Sequence, residues 1–125
     1  MPIPYNLKTT NAEVPPSLTA YLEEKLASLE HFFNANDPSL LCSVELGKTT
    51  EHHHTGRVYR AEINLHVSGK KFRATAIEES LEAAIDSVKE ELKKELRRAK
   101  DREKSLLHRG GAKLKQFLRF GKDTS

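Results

Sequence analysis

The sequence is poor in cysteine, in aromatic residues and in long apolar runs, and each shortage excludes a class of protein. Its single cysteine, Cys42, cannot form an intrachain disulfide and indicates a reducing compartment. It has no Trp, five Phe and three Tyr, which are few rings for stacking the bases of a single strand. No apolar run approaches the roughly 18 residues of a membrane helix, and no apolar segment follows Met1. We therefore expect a cytoplasmic protein without a membrane partner.

Positive charge is concentrated at one end of the chain. The formal net charge of the 125 residues is only +3. Residues 1–88 contain 8 Lys and Arg against 12 Asp and Glu, a net charge of −4, whereas residues 89–125 contain 13 against 6, a net charge of +7. This asymmetry indicates a basic surface that would bind a polyanion. A plain solvated helix is the alternative, because acidic residues interrupt the basic run at Glu90, Glu91, Glu95, Asp101 and Glu103.

The segment from Lys89 to Lys104 combines an apolar stripe with two rows of cations when it is placed on a helix of about 3.6 residues per turn. The apolar stripe consists of Leu81, Ile85, Val88, Leu92 and Leu96. The first row, next to the stripe, consists of Lys89, Lys93, Arg97, Lys100 and Lys104. The second row consists of Lys94, Arg98 and Arg102. A helix that buries this stripe would hold both rows in register for a regular array of phosphates.

Alternating apolar residues predict four strands. These cover residues 3–7, 40–46, 59–67 and 72–76. The tripeptide Ser68-Gly69-Lys70 predicts a tight hairpin between the last two strands.

Helical spacing predicts two helices, which complete the order β-α-β-β-β-α. The first would run from the Pro15-Pro16 pair to about Phe33, and the second would begin near Glu78. Because each helix must bury a stripe, both should pack on one face of a mostly antiparallel four-stranded sheet, giving an α+β two-layer sandwich. The C-terminal helix is expected to be extended and basic, and to project into solvent from about Arg97.

Three segments resemble one known family. They are residues 21–30 (YLEEKLASLE), 59–67 (YRAEINLHV) and 72–86 (FRATAIEESLEAAID). In this order and at these distances they resemble the ribosome hibernation-promoting factor family, also called the ribosome-associated inhibitor or σ54 modulation protein family, over about residues 3–102. The resemblance implies the same β-α-β-β-β-α fold. It also implies the short form of the family, without the separate C-terminal domain that dimerises ribosomes.

The resemblance implies a function by occupancy and not by catalysis. Such proteins bind the mRNA/tRNA channel of the small ribosomal subunit and keep idle ribosomes inactive under stress or in stationary phase. The implied partners are 16S-type rRNA and neighbouring ribosomal proteins in a bacterial-type cytoplasm. No cofactor, small-molecule substrate or enzymatic activity is expected, and the protein should be monomeric off the ribosome.

The expected RNA-binding residues combine the two rows with one position on the first helix. They are Lys25, Lys89, Lys93, Lys94, Arg97, Arg98, Lys100, Arg102 and Lys104. Family members typically carry a basic residue at the position of Glu91, and Gln is frequent at the position of Glu95. We hypothesise that Lys89, Lys93 and Arg97 compensate by moving the positive surface around the helix.

The C-terminal end is predicted to be separate from the domain. Residues 1–105 should form the rRNA-binding domain, and residues 106–125 a basic, flexible tail after a helix break at Gly110-Gly111. The tail either stays disordered or orders on rRNA or a ribosomal protein.

Two other functions remain as alternatives. A general double-stranded RNA-binding module is one, although such modules begin with a helix and have three strands. A metal-dependent enzyme built on Glu51 and the histidines His52, His53 and His54 is the other, but the sequence offers no second ligand cluster. Cys42 lies on the apolar alternation of a strand and is expected in the core.

Overall fold

The computed structural model describes residues 3–49 and 58–124, with side chains described as far as Leu106. The elements are β1 (Asn6–Thr10), α1 (Pro16–Ala27), a 3₁₀ turn (Glu30–Phe32), β2 (Leu41–Lys48), β3 (Tyr59–Val67), β4 (Lys70–Glu78) and α2 (Leu81–Thr124). This order confirms the predicted β-α-β-β-β-α arrangement. No helix in the described ranges is long and apolar enough to cross a membrane.

The sheet is mixed, with its strands in the order β1-β2-β3-β4. β1 pairs with β2 in parallel, with Leu7 opposite Val44, and the other two pairs are antiparallel. Parallel neighbours require a crossover connection, and α1 with the 3₁₀ turn supplies it. β1 is therefore an edge strand, and the connection through α1 leads from it to β2 in the interior of the sheet.

Both helices cover the same face of the sheet, as predicted. Alternate residues of the strands are buried against them, among them Cys42, Val44, Ala61, Ile63 and Leu65. α1 contributes Leu22 and Leu26 to this core, and α2 contributes Ala84, Ile85, Val88, Leu92 and Leu96. The apolar stripe of α2 is thus buried apart from Leu81, which is half-buried. Burial of the stripe fixes the rotation of α2, and so the direction in which its cations point.

The β3–β4 hairpin turns through Ser68 and Gly69. Both residues have positive φ, 53° and 74°, as a two-residue type I′ turn requires. Asp37 anchors this turn: its Oδ2 accepts hydrogen bonds from the Ser68 N–H at 2.7 Å and the Ser68 hydroxyl at 3.2 Å. Its Oδ1 accepts two more from the N–H and the hydroxyl of Ser39. These bonds favour the charged carboxylate and lower the pKa of Asp37 to about 2.

The prediction that the first helix reaches Phe33 is wrong by more than a turn. α1 ends at Ala27, where the Ser28 hydroxyl donates to the Lys25 carbonyl at 2.6 Å and competes with helix continuation. The 3₁₀ turn that follows keeps residues three apart on one side. Leu29 is therefore buried and Phe32 half-buried, which is why the apolar spacing resembled a longer helix.

The other boundaries differ by a few residues. β1 covers residues 6–10 and not 3–7. β4 continues to Glu78, so α2 begins at Leu81 and not near Glu78. The Ser80 side chain caps this helix by accepting a hydrogen bond from the Ala83 N–H at 3.1 Å.

The predicted helix break at Gly110-Gly111 is also wrong, because α2 continues to Thr124. Glycine costs a helix only about 1 kcal/mol relative to alanine, and good helix formers follow this pair from Ala112 onward. The last buried side chain of the stripe is Leu96, and every residue from Lys100 to Leu106 is exposed. The projection expected from about Arg97 is not seen there, because Glu103 still pairs with Lys70 of the hairpin at 2.7 Å. The division into a domain and a flexible tail remains a prediction.

Candidate RNA-binding surface

The first row lies on the side of α2 that borders α1 and the 3₁₀ turn. The guanidinium carbon of Arg97 is 5.9 Å from the centroid of the Phe32 ring. One helical turn before Lys89, Asp86 faces α1 and lies 3.7 Å from the Lys25 ammonium. The first row therefore lies on the side of α2 that is next to α1 near Asp86 and next to the 3₁₀ turn at Arg97.

Most of the positive charge of the first row is not neutralised by neighbouring acids. Lys89 pairs with Glu90 at 2.9 Å, and its side chain is mostly covered. Within the described ranges, the other four residues of the row have no carboxylate at ion-pair distance: Lys93, Arg97, Lys100 and Lys104. Lys93 still acts on Glu90 at longer range, because its charge contributes to the lowered pKa of that carboxyl. Unpaired cations at successive turns of one helix face present a line of charge to a polyanion.

The second row points away from α1 and is largely paired. Lys94 lies 3.3 Å from Glu91, and Arg98 lies 3.1 Å from Glu95; both are exposed pairs three residues apart. Such pairs add little to stability, but each carboxylate cancels the local charge of its partner. Glu91 stands where we expected a basic residue from the resemblance, and Glu95 where we expected Gln.

A polar cluster holds α1 against α2 beside the first row. The Tyr21 hydroxyl donates a hydrogen bond to Asp86, and this bond raises the pKa of Tyr21 to about 12. The Lys25 ammonium lies between them, 3.7 Å from the Asp86 carboxylate and 4.8 Å from the Tyr21 ring centroid. Lys25 is therefore a partly covered cation beside the first row, and its pairing with Asp86 fixes its position at the helix contact.

Comparison with known proteins connects this chain to a family. The model of the family described as sigma 54 modulation protein / S30EA ribosomal protein matches residues 5–104. The chain belongs to this family. The match includes all nine predicted RNA-binding residues, and it confirms the resemblance seen in the sequence. Members of the S30EA family are ribosome-associated factors, which are not known enzymes.

Solved structures share the S30EA fold. The N-terminal domain of Protein Y from Thermus thermophilus is 30% identical, with a TM-score of 0.61, over 78% of this chain and 98% of that one. A ribosomal subunit interface protein from Coxiella burnetii aligns with a TM-score of 0.54 over 77% of this chain and 98% of that one. At 14% identity, this second likeness shows the fold alone. No curated protein sequence matches the chain.

Other chemistry suggested by the sequence is absent or outside the described ranges. Cys42 is 3% exposed in the core, and burial raises the pKa of its thiol to about 11, so it is protonated and unreactive near neutral pH. Among the residues that the structure describes, no cluster of His, Cys, Asp or Glu could hold a metal ion. The histidines His52, His53 and His54 lie outside these residues.

Sequence reasoning missed two residues of this S30EA surface. Asp86 was assigned only to the second helix, because its role depends on Tyr21, 65 positions earlier in the chain. Phe32 was not singled out, because the apolar spacing of the first helix was followed to Phe33, but its ring lies beside Arg97. The exposed neighbour His31, whose ring centroid is 4.1 Å from that of Phe32, was the available sign that the end of α1 is an aromatic surface.

Proposed function

We propose that this protein binds the small ribosomal subunit, occupies the mRNA/tRNA channel and keeps idle ribosomes inactive under stress or in stationary phase. The observation that carries the proposal is the set of four unpaired cations of the first row, on a chain that belongs to a family of ribosome-associated factors. The protein would act in a bacterial-type cytoplasm as a monomer, without enzymatic activity.

The geometry suits a rigid contact with folded RNA. From Lys89 to Lys104 the first row extends over roughly 22 Å of helix at about 1.5 Å per residue. Burial of the apolar stripe and the Tyr21–Asp86 hydrogen bond fix the row relative to α1. Since folded RNA is recognised mainly through its shape and phosphates, a rigid array of charge suits it better than a mobile one.

Inhibition would follow from excluded volume. A domain bound in the channel prevents mRNA and tRNA from entering, and no bond needs to be made or broken. Each neutralised phosphate releases condensed counterions, so binding should weaken steeply with salt. Four phosphate contacts by the first row correspond to a slope of log K against log salt of about −3 to −4.

The test is competition on purified small subunits. The protein is added to subunits that carry a fluorescent mRNA, and binding is followed by sedimentation through sucrose gradients at low and high KCl. We expect cosedimentation at low salt, release at high salt and displacement of the mRNA. Cosedimentation without displacement of mRNA would support binding to the ribosome but would contradict occupancy of the mRNA/tRNA channel.

The same gradients test the alternative of a general double-stranded RNA-binding module. An excess of unrelated duplex RNA would remove such a module from the subunit, whereas a shape-specific ribosome factor should stay bound. The strand β1, with its parallel pairing to β2, already distinguishes this fold from the helix-first order of those modules.

A further inference from the structure

A cleft opens beside the first row, where the 3₁₀ turn, the β3–β4 hairpin and α2 meet. Its volume is about 230 Å³, which is below the roughly 300–1,000 Å³ typical of small-molecule pockets. Phe32, Phe33 and Phe72 line it. Three of the five phenylalanines of the chain therefore border one small opening.

The mouth of the cleft is positively charged. Arg97 lies over the Phe32 ring at 5.9 Å, and Lys100 lines the opening on the same face of α2. Neither has a carboxylate partner among the described residues. Glu103 also lines the cleft, but its carboxylate is paired with Lys70 at 2.7 Å. Among the described residues that line the cleft, this pairing leaves Lys100 as the cation without a carboxylate partner, and Arg97 lies beside the cleft over the Phe32 ring.

The aromatic surface continues outward from the cleft. The exposed His31 ring lies with its centroid 4.1 Å from that of Phe32, at an interplanar angle of 37°. Aromatic rings and arginine guanidinium groups are the surfaces on which unpaired bases of RNA stack, and both kinds meet at this cleft.

We propose that this cleft receives one unpaired base of rRNA, which stacks on Phe32 while Arg97 and Lys100 hold the neighbouring phosphates. This proposal rests on the proposed function, because it places one nucleotide of the bound subunit in a defined position. The scarcity of aromatic residues argues against stacking along a whole strand, but a single base needs only one ring. The cleft would fix the register of the protein on the rRNA, and the rest of the first row would supply affinity.

The decisive variant is Phe32→Leu, which keeps an apolar side chain of similar size and removes the flat ring. The matched control is Tyr59→Leu. Tyr59 has a lysine, Lys48, over its ring at the same distance of 5.9 Å, but it lies at the opposite end of β3 from the hairpin. Dissociation constants for purified small subunits are measured over a range of KCl, together with chemical probing of base accessibility on the bound rRNA.

We expect Phe32→Leu to bind roughly 5- to 100-fold more weakly, because stacking of one base is worth that much. Its salt dependence should match the wild type, since no charge is lost. One base that the wild type protects should become reactive again, whereas Tyr59→Leu should keep both the affinity and the protection. Thermal unfolding of each variant checks that the fold is retained.

A second variant keeps the test valid if Phe32→Leu fails to fold. Arg97→Lys lies on an exposed helix face and retains the charge, but it loses the planar group over Phe32. It should bind several-fold more weakly, with an unchanged salt slope and reactivity regained at the same base.

Three outcomes would overturn the proposal. Wild-type affinity and protection in Phe32→Leu would reject the base cleft while ribosome binding stands. Weaker binding without any change in base reactivity would assign the cleft to a side chain of a ribosomal protein. Failure of the wild type itself to bind the small subunit would reject the proposed function and this proposal with it.

Discussion

The two cation rows of α2 are similar in composition, but they differ in what surrounds them. Four of the five residues in the first row have no acidic partner among the described residues, whereas two of the three in the second row are paired with glutamates three residues earlier. The number of lysines and arginines on a helix is therefore a poor measure of the charge it presents. The positions of the intervening acids decide which face attracts phosphate.

Reversing charge on each row in turn gives the largest expected effect. Lys93→Glu with Arg97→Glu should weaken binding to small subunits by a factor on the order of 100 and reduce the salt slope by about 1.4–1.8, because two phosphate contacts are lost. Lys94→Glu with Arg98→Glu is the matched control, with the same residue types at the same spacing. Equal losses in the two double variants would contradict the distinction between the rows. The measurement is the dissociation constant as a function of KCl.

Removing the acids of the second row should make it resemble the first. Glu91→Gln with Glu95→Gln frees Lys94 and Arg98, and we expect tighter binding by up to about tenfold together with a steeper salt slope. Glu13→Gln with Glu24→Gln, two exposed changes outside α2, controls for the same change in net charge. If both variants gain equally, the gain comes from overall charge and not from the row.

A substitution at Asp37 tests the stability of the fold without changing either row of cations. Asp37→Ala removes four hydrogen bonds at the hairpin and should lower Tm by roughly 2–5 °C at neutral pH. The folded pKa of Asp37 is depressed to about 2, so its contribution is present above about pH 4 and is lost as the pH falls through about 2. The variant should therefore unfold with less dependence on pH in that acid range. The measurement is Tm between pH 2 and pH 5. If the Tm of the variant and of the wild type fall equally with decreasing pH, the predicted contribution of Asp37 is excluded.

The smallest effect on binding is expected at the contact between the helices. The hydrogen bond to Asp86 raises the pKa of Tyr21 to about 12, so its stabilising contribution is complete below about pH 10 and is lost as the pH rises through about 12. Asp86→Ala should lower the pKa of Tyr21 from about 12 toward its ordinary value in a spectrophotometric titration, while partial burial and the charges of Glu82 and Glu24 continue to raise it. Tyr21→Phe identifies the affected signal by removing it. An unchanged tyrosine titration in Asp86→Ala would show that the bond does not form.

Much of the fold was predictable because it depends on local periodicity. The strand Tyr59–Val67, the hairpin and the buried stripe of α2 follow directly from alternating or helical spacing. The end of α1 was not predictable in this way. The Ser28 hydroxyl competes with continuation of the helix, and the 3₁₀ turn that follows spaces its apolar residues almost as a helix would. The start of α2 could have been predicted from Ser80, because serine is a common N-cap residue, but the helix was placed near Glu78.

The candidate surface was predictable only in part. Helical spacing gives the two rows, and the separation of Glu91 from Lys94 gives their pairing. The cleft was beyond sequence reasoning, because Phe32 and Phe72 are separated by 40 positions and come together only through the sheet. The parallel pairing of β1 likewise depends on a crossover that no short motif specifies.

The position of β1 at the parallel edge has a consequence for the order of folding. Pairing Asn6 with Ser43 closes a long loop, whereas β3, β4 and the first turns of α2 are neighbours in sequence. Because loop closure costs entropy before it is compensated by contacts, the segment that carries the cations should assemble early and β1 should dock late. Destabilising substitutions in β1 should then accelerate unfolding and leave the refolding rate nearly unchanged. A nascent or transiently opened molecule would on this account present its charged helix before the amino-terminal edge of the sheet is complete.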